Sequence, residues 1–565
     1  MNITQLDLIV IIVYLVAIVT VGCLAGYFHR KGTEGKSYFL AGRSLTWPVI
    51  GLALFSTNIS TVHLVSLAQE GYNNGLAYGN FEWMAAFTLI VLGLFFAPFY
   101  LRANVATLPD FLEKRYSRPC RDWLAILSII SAVFIHIGFS LYAGAVVLQG
   151  LFHINIYVSI ISIALLTGLY TIIGGLLAVV LTESIQTVIL VIGALFVTGF
   201  AYYHVGGWSG LKESLLSIDP DLNLLTVLRD ENDKSNLPWY AVFLGYPVIG
   251  LWYWCADQTI VQRVLGAKDE NHARIGPLFA GFIKILPVFI FVLPGLLCLG
   301  LVNSRFFGVD SNGLAIAPAE SKDTYAFMIT NLLPVGLKGL VAAALLAALM
   351  STVSGALNSI ATLFSYDIYQ RWKPNATDHQ LVLVGRIVTV VAMFTAICWS
   401  PLLKHFDSIF QGLNVMICYI APPITTVFIW GIFWKRASSA AARAALYAGS
   451  SLGLIVFIID WFKDHQKMFD WLNLHLPALQ PLWRAWDHYD IPFMIMAFYL
   501  FVACSAILII VSWFKPHQHT AESAQLVWTN PLQALQSPGW PGLANYKFLA
   551  ALLFVIMVTL YIIFR

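Results

Sequence analysis

Residues 56–63 read Ser-Thr-Asn-Ile-Ser-Thr-Val-His, six polar side chains in eight positions, inside a run that is otherwise apolar from Trp47 to Ala68. A lipid-facing helix avoids such a stretch, because hydrocarbon offers its polar groups no partner. It survives only where protein or a water-filled cavity satisfies it. A second interruption lies at 245–258 (GYPVIGLWYWCADQ), where Pro247, Gly250 and the polar pair Asp257-Gln258 break another apolar run. Paired interrupted segments, one in each half of a chain, point to a transporter binding site between two structural repeats.

The rest of the chain has the composition of a membrane protein. Of 565 residues, 59% are hydrophobic and 11% charged, against roughly 25% charged in a soluble domain. Apolar runs of about 20 residues fall near 5–27, 46–72, 80–101, 123–149, 155–173, 181–204, 238–259, 275–302, 325–366, 380–402, 405–434, 439–461, 491–514 and 545–564. The sequence therefore predicts an all-α polytopic protein of about fourteen transmembrane helices, in a single transmembrane domain over 1–565. The interrupted runs are the second and seventh. Their five-span separation predicts a five-plus-five inverted-repeat core over 46–434, although no direct self-similarity marks the repeat. An extra N-terminal span and first loop (1–45) and three peripheral C-terminal spans (435–565) flank that core. The first run, from about Leu6 to Tyr27, is too long for a cleaved signal and stays as a span.

Basic residues fall in alternate loops: Arg30, Lys31, Lys36 and Arg43; Arg102, Lys114, Arg115, Arg118 and Arg121; Arg263, Lys268 and Arg274; Arg371 and Lys373; Lys435, Arg436 and Arg443. The opposite loops are mixed or acidic. The bias places the first set in the cytoplasm and both termini on the extracytoplasmic side of a bacterial inner or plasma membrane. A net charge of +3 argues against a nucleic-acid partner. The seven scattered cysteines form no CxxC or Cys/His cluster. The glycine-rich GYNNGLAYGN (71–80) lacks the strand and the lysine of a phosphate-binding loop, and no nucleophile–base pair lies at membrane depth, so an enzyme is not expected.

Charges within spans cost at least ~2.5–3.5 kcal/mol each at a helix centre and ask for a reason. Glu82 opens the third span and Lys284 lies in the middle of the eighth, in GFIKILPVF. With Asn58 and His63 they supply donors and acceptors of both signs, which suits a neutral polyhydroxylated ligand. Taken singly, each also reads as a satisfied structural polar group. Tyr253 and Trp254 add rings for the CH face of such a ligand, the alternative being an interfacial aromatic belt, which suits Trp83 well. In LLAALMSTVSGALNS (345–359), Ala348, Ser351 and Thr352 share one helical face. Their neutral oxygens, with carbonyls of Ser56 and Ile59 where the second span unwinds, suit a monovalent cation; small-residue helix packing is the competing explanation.

These residues resemble the sodium/solute symporter family, in its sodium/glucose cotransporter branch. The resemblance runs through SYFLAGRS (37–44), LFSTNIS (54–60), NFEW (80–83), TLPDFLEKRY (107–116), YTIIGGLLAVVLTESIQT (170–187), WYWCADQTIVQR (252–263), ALMSTVSGALNSIATLFSYDIY (348–369) and YIAPPITTVFIWGIFWKR (419–436). It implies a LeuT-like core of two inverted five-helix repeats and sodium as the coupled ion. It further implies a sugar site at Asn58, His63, Glu82, Tyr253, Trp254, Lys284 and Asn414, with Tyr253 as inner gate. The main sodium site would be formed by backbone carbonyls of Ser56, Ile59 and Ala348 and the hydroxyls of Ser351 and Thr352.

Two departures stand out. Asn414 stands where the family usually has glutamine, and its shorter side chain reaches less far towards a substrate hydroxyl. A second sodium site used by some members would fall on Glu183 and Ser354, but Glu183 replaces an aspartate and Gly355 a hydroxyl, so one sodium per cycle is expected. The expected function is sodium-driven uptake of a monosaccharide such as glucose or galactose. The alternatives are another polyol such as inositol, or a sugar sensor or sodium leak channel without coupled flux. Oligomeric state is not legible.

Overall fold

A computed structural model describes residues 4–28, 35–152, 154–231, 233, 235–405, 409–464, 491–516, 519–528 and 530–565. Arg30 and Lys31 of the first basic loop lie outside them. Helices dominate, and the described residues contain three isolated β-bridges but no strand.

Among the described residues, eleven helices are long and apolar enough to cross a membrane. One of them, Ile156–His204, has 49 residues and is broken at Gly175 (φ 59, ψ −156). Straight, it would measure about 73 Å, more than twice a hydrocarbon core, so it is two spans. A Cβ at Gly175 would lie 2.6 Å from the Tyr38 carbonyl, so only glycine fits the break. Two further spans are interrupted at the polar stretches. Eleven, plus one for the division at Gly175, plus these two, gives fourteen.

We number them in chain order: α1 (Gln5–Phe28); α2 (Trp47–Asn58 and Thr61–Asn74); α3 (80–102); α4 (118–152); α5 and α6, on either side of Gly175; α7 (239–256 and Gln258–Leu265); α8 (Glu270–Asn303); α9 (Leu337–Trp372); α10 (Asp378–Trp399); α11 (Ile409–Phe433); α12 (Ser439–Asp464); α13 (Phe493–Phe514); and α14 (Tyr546–Ile563). The ninth span begins at Leu337 rather than near 325. A separate helix, Thr324–Leu332, ends before Pro334, and Gly336 (φ +88) turns the chain into α9. Asp7 of α1 caps that start: its Oδ1 accepts from the backbone N–H of Gly336 (2.7 Å) and Gly339 (2.9 Å), a charge-assisted bond to a helix N-terminus.

Burial separates the centre from the rim. In the most apolar stretch of α9, 94% of the residues are buried, against 22% in α1 and 28% in α12 and α14. The rim helices turn Val13, Ile387, Phe394 and Val555 outward, each half-exposed or more, as lipid contact allows. The central helices instead carry the polar and charged side chains.

Three basic residues that the sequence assigns to loops are wholly buried: Arg115, Arg263 and Arg274. Arg115 shows the cause. Its guanidinium donates to the carbonyls of Gly431 (2.7 Å), Trp434 (3.2 Å) and Ala437 (3.3 Å), neutralising the C-terminal end of α11.

Candidate functional site

Two helix breaks build the site. In α2, Ile59 leaves helical geometry (φ −79, ψ 97), and the second half starts behind Ser60. The Ser60 backbone N–H donates to His63 Nδ1 (3.3 Å), so His63 helps to cap the restarted helix. In α7, residues Trp252–Ala256 form a widened π-helical turn, and Asp257 (φ −85, ψ 122) interrupts the helix before Gln258. Asp257 Oδ1 accepts from the Thr259 N–H at 2.6 Å, capping the second half.

One cavity opens between these breaks, lined by residues of α2, α3, α4, α7, α9 and α11. Asn58, His63, Glu82, Tyr253, Trp254 and Asn414 all line it. Lys284 does not reach the wall. It is buried behind, donating to Asn58 Oδ1 and Glu82 Oε2, with its ammonium 5.6 Å from the Trp254 ring centre. Asn58 in turn donates from Nδ2 to the Tyr253 hydroxyl (3.2 Å). Asn58, Glu82, Tyr253, Trp254 and Lys284 thus form one connected group in which the lysine neutralises the carboxylate and orients it, a requirement for a buried charge, and His63 and Asn414 line the same cavity. Trp83, which suits an interfacial belt by sequence, is fully buried instead. Its indole N–H donates to the Ile285 carbonyl (3.2 Å) and its ring packs on Tyr561 and Phe564.

The small-residue face of α9 meets the first break. Ser351 Oγ donates to the carbonyls of Ser56 (2.8 Å) and Ala348 (2.9 Å); Thr352 Oγ1 lies 3.2 Å from the carbonyls of Thr57 and Ala348. Five oxygens therefore cluster within hydrogen-bond reach, and the fully buried hydroxyl of Ser56 has no hydrogen-bond partner among the described residues. The Thr57 carbonyl belongs to the cluster although the sequence reading left it out. No group of three His, Cys, Asp or Glu that could hold a metal occurs among the described residues, so a cation here would rely on neutral oxygens.

One turn along α9 the arrangement differs. Glu183 is fully buried and already paired: Arg263 donates to both of its oxygens (3.3 Å from Nε to Oε2), and Thr57 Oγ1 donates to Oε1 (2.9 Å). A Cβ on Gly355 would stand 2.4 Å from the Arg263 guanidinium and 3.1 Å from Glu183. The missing side chain makes room for the arginine. Ser354 Oγ is spent on the Ser351 carbonyl (3.0 Å).

The sequence reading also missed His136, a lone ionisable group in the apolar run of α4 that intramembrane cost alone could have flagged. It lines the cavity and contacts Asp257, with Nε2 2.9 Å from Oδ2. Phe81, Tyr246 and Ile249 complete apolar parts of the wall; ordinary hydrophobic residues give no signal of that role.

The fold is shared with a solved structure titled as the substrate-bound outward-open state of a Na+-coupled sialic acid symporter. The likeness has a TM-score of 0.74 and covers 92% of this chain and 100% of that one; at 20% identity it establishes the fold. Curated relatives include sodium/glucose cotransporter 1 of Oryctolagus cuniculus, 32% identical over 93% of this chain and 81% of that protein. Sodium/glucose cotransporter 2 of Rattus norvegicus is 36% identical over 81% and 72%, and sodium/myo-inositol cotransporter 2 of Sus scrofa is 35% identical over 82% and 71%. Fold and relatives together define a multi-pass, sodium-coupled solute symporter rather than an enzyme. The chain belongs to the sodium:solute symporter family, which residues 38–449 match.

Proposed function

We propose that this symporter couples inward sodium movement to uptake of a neutral monosaccharide, glucose or galactose in class, by alternating access. The observation that carries the reading is the Asn58–Glu82–Lys284 group beside the cavity. It is overall neutral yet rich in donors and acceptors, and the Tyr253 and Trp254 rings supply an apolar face. A charged substrate would find no unpaired counter-charge in that group.

Sodium would sit among the carbonyls of Ser56, Ile59 and Ala348 and the hydroxyls of Ser351 and Thr352. That placement ties the broken middle of α2, which also carries Asn58, to α9. Filling the ion cluster fixes the break and so raises affinity for sugar, and sugar must raise affinity for sodium by the same factor. One sodium per cycle follows from Arg263, whose guanidinium supplies the positive charge beside Glu183 that a second sodium would bring. The alternating basic loops support extracytoplasmic termini.

Myo-inositol is the second reading, favoured by the relative named for it and by the shorter Asn414 on the cavity wall. Tracer uptake into proteoliposomes, across hexoses and myo-inositol and with or without a sodium gradient, tests both. Sodium-stimulated accumulation of a hexose above myo-inositol is expected. Sodium flux indifferent to every sugar would replace the reading with a leak channel, and binding without flux with a sensor.

A further inference from the structure

We propose that His136 is a substrate-contacting residue that accepts a hydrogen bond from one ligand hydroxyl through Nδ1, with Asp257 as the positioning residue that holds it in the accepting tautomer. The inference rests on the proposed polyol site.

His136 sits on a π-helical turn of α4, Ala132–Ile137. Such turns displace a side chain from the regular helical stripe and recur at functional sites. Its ring is nine-tenths buried, yet the residue lines the cavity. Nε2 lies 2.9 Å from Asp257 Oδ2. A carboxylate only accepts, so Nε2 carries the proton of that bond and, in the neutral ring, Nδ1 is the bare acceptor. Nδ1 has no partner among the described residues and is not among the buried polar atoms left unsatisfied, so the accessible face of the ring presents it. Ser140, one turn further along α4, brings a hydroxyl to the same wall.

Asp257 is fixed from its other side. Oδ1 accepts from the Thr259 N–H at the restart of α7. The carboxylate therefore cannot rotate away from the histidine without uncapping that half-helix. Tyr253 lies between this pair and the Lys284 group. Its hydroxyl accepts from Asn58, and its ring centre is 6.1 Å from that of His136. A ligand resting on Tyr253 thus meets two polar groups of different character. The Glu82 side offers donors and acceptors; the His136 side offers an acceptor alone, and selects a hydroxyl that donates.

The test is the apparent affinity for sodium-dependent uptake in proteoliposomes, for the transported sugar and its monodeoxy and monofluoro analogues. Losing one hydrogen bond changes affinity about three- to tenfold. In the wild type, one position should be sensitive to both deoxy and fluoro replacement, because fluorine cannot donate. His136→Phe should weaken the parent sugar by that factor and leave the analogue altered at that position unchanged. Asp257→Asn keeps an oxygen for Thr259 but turns an amide N–H towards Nε2. The proton then moves to Nδ1, and the fluoro analogue at that position should recover relative to the deoxy one. Affinity is independent of how much protein is made, and His136→Gln serves if the phenylalanine variant is not assembled. Equal weakening of all analogues, or no weakening of any, overturns the inference. Failure of the wild type to take up any polyol overturns the underlying reading instead.

Discussion

At Ser351 and Thr352, α9 offers two hydroxyls to the carbonyls of the broken α2; one turn further, at Ser354 and Gly355, it packs against the guanidinium of Arg263. The first position gathers neutral oxygens, two hydroxyls set against three carbonyls, which a monovalent cation can enter and leave at little electrostatic cost. The second buries a full carboxylate, Glu183, and answers it with a permanent protein cation. An exchangeable ion needs a site that tolerates its departure, whereas a buried carboxylate does not tolerate the loss of its partner. If the proposed sodium site holds, two adjacent turns of one helix divide the work between coupling and scaffolding.

The largest effect should come from breaking the second position. Arg263→Met leaves Glu183 buried and unpaired, a loss on the order of 3–5 kcal/mol, which detergent melting curves should register as a large fall in stability. Replacing both partners, Arg263→Met with Glu183→Leu, should recover most of it, because an apolar pair of similar volume is often neutral. Sodium-stimulated uptake surviving in the double variant would confirm that the pair scaffolds; uptake lost in a stable double variant would make it part of the coupling.

A smaller effect is expected at the first position. Ser351→Ala and Thr352→Ala each remove one oxygen from the cluster. Hydrogen bonds and contacts to charged groups are worth about 1.5–3 kcal/mol, so the sodium concentration for half-maximal uptake should rise roughly ten- to hundredfold. Melting temperature without sodium should hardly move. Unchanged sodium dependence in the double variant would remove the ion from this turn. Smaller again is Gly355→Ala. Its Cβ would press on a guanidinium already bound to Glu183, and overpacking of this kind costs typically ~1–3 kcal/mol. Thermal stability should fall by that amount with the sodium requirement intact; a rise in stability would mean that the space beside Arg263 is void.

The first position was legible in the sequence and the second was not. Six polar residues in eight within an apolar run announced the break at Ile59, and the i, i+3, i+4 spacing of Ala348, Ser351 and Thr352 announced the face that meets it. Both signals are local. Arg263 looks like any other residue of a basic loop, and only its contact with Glu183, 80 residues away, shows that the chain turns it inward. Gly355 reads as a lost ligand until the guanidinium is seen beside it. His136 failed for the same reason, since a lone histidine declares a role only once Asp257 comes within reach. The start of α9 was misplaced because apolarity runs continuously from the preceding helix, while Pro334, Gly336 and the distant Asp7 decide where the helix begins.

The smallest expected effect is also the most exacting test of the comparison. If Arg263 is the resident cation of the second position, Glu183→Gln should alter expression or rate but leave the charge moved per sugar at one. One sodium entering with a neutral sugar carries one charge, worth ~2.3 kcal/mol per 100 mV. A tenfold sodium gradient adds roughly 1.4 kcal/mol. Their sum, about 3.7 kcal/mol, sustains a sugar gradient on the order of five hundredfold, at 1.4 kcal/mol per factor of ten. Two ions would double the energy and square that ratio, a difference that leak cannot imitate because leak only lowers accumulation. Reversal potentials at stepped sodium concentrations read the ratio directly. A slope of one charge per sugar is expected in the wild type and in Glu183→Gln alike. A slope of two in the wild type that falls to one in the variant would show that Glu183 binds a transported ion, and that Arg263 must swing aside in each cycle to admit it.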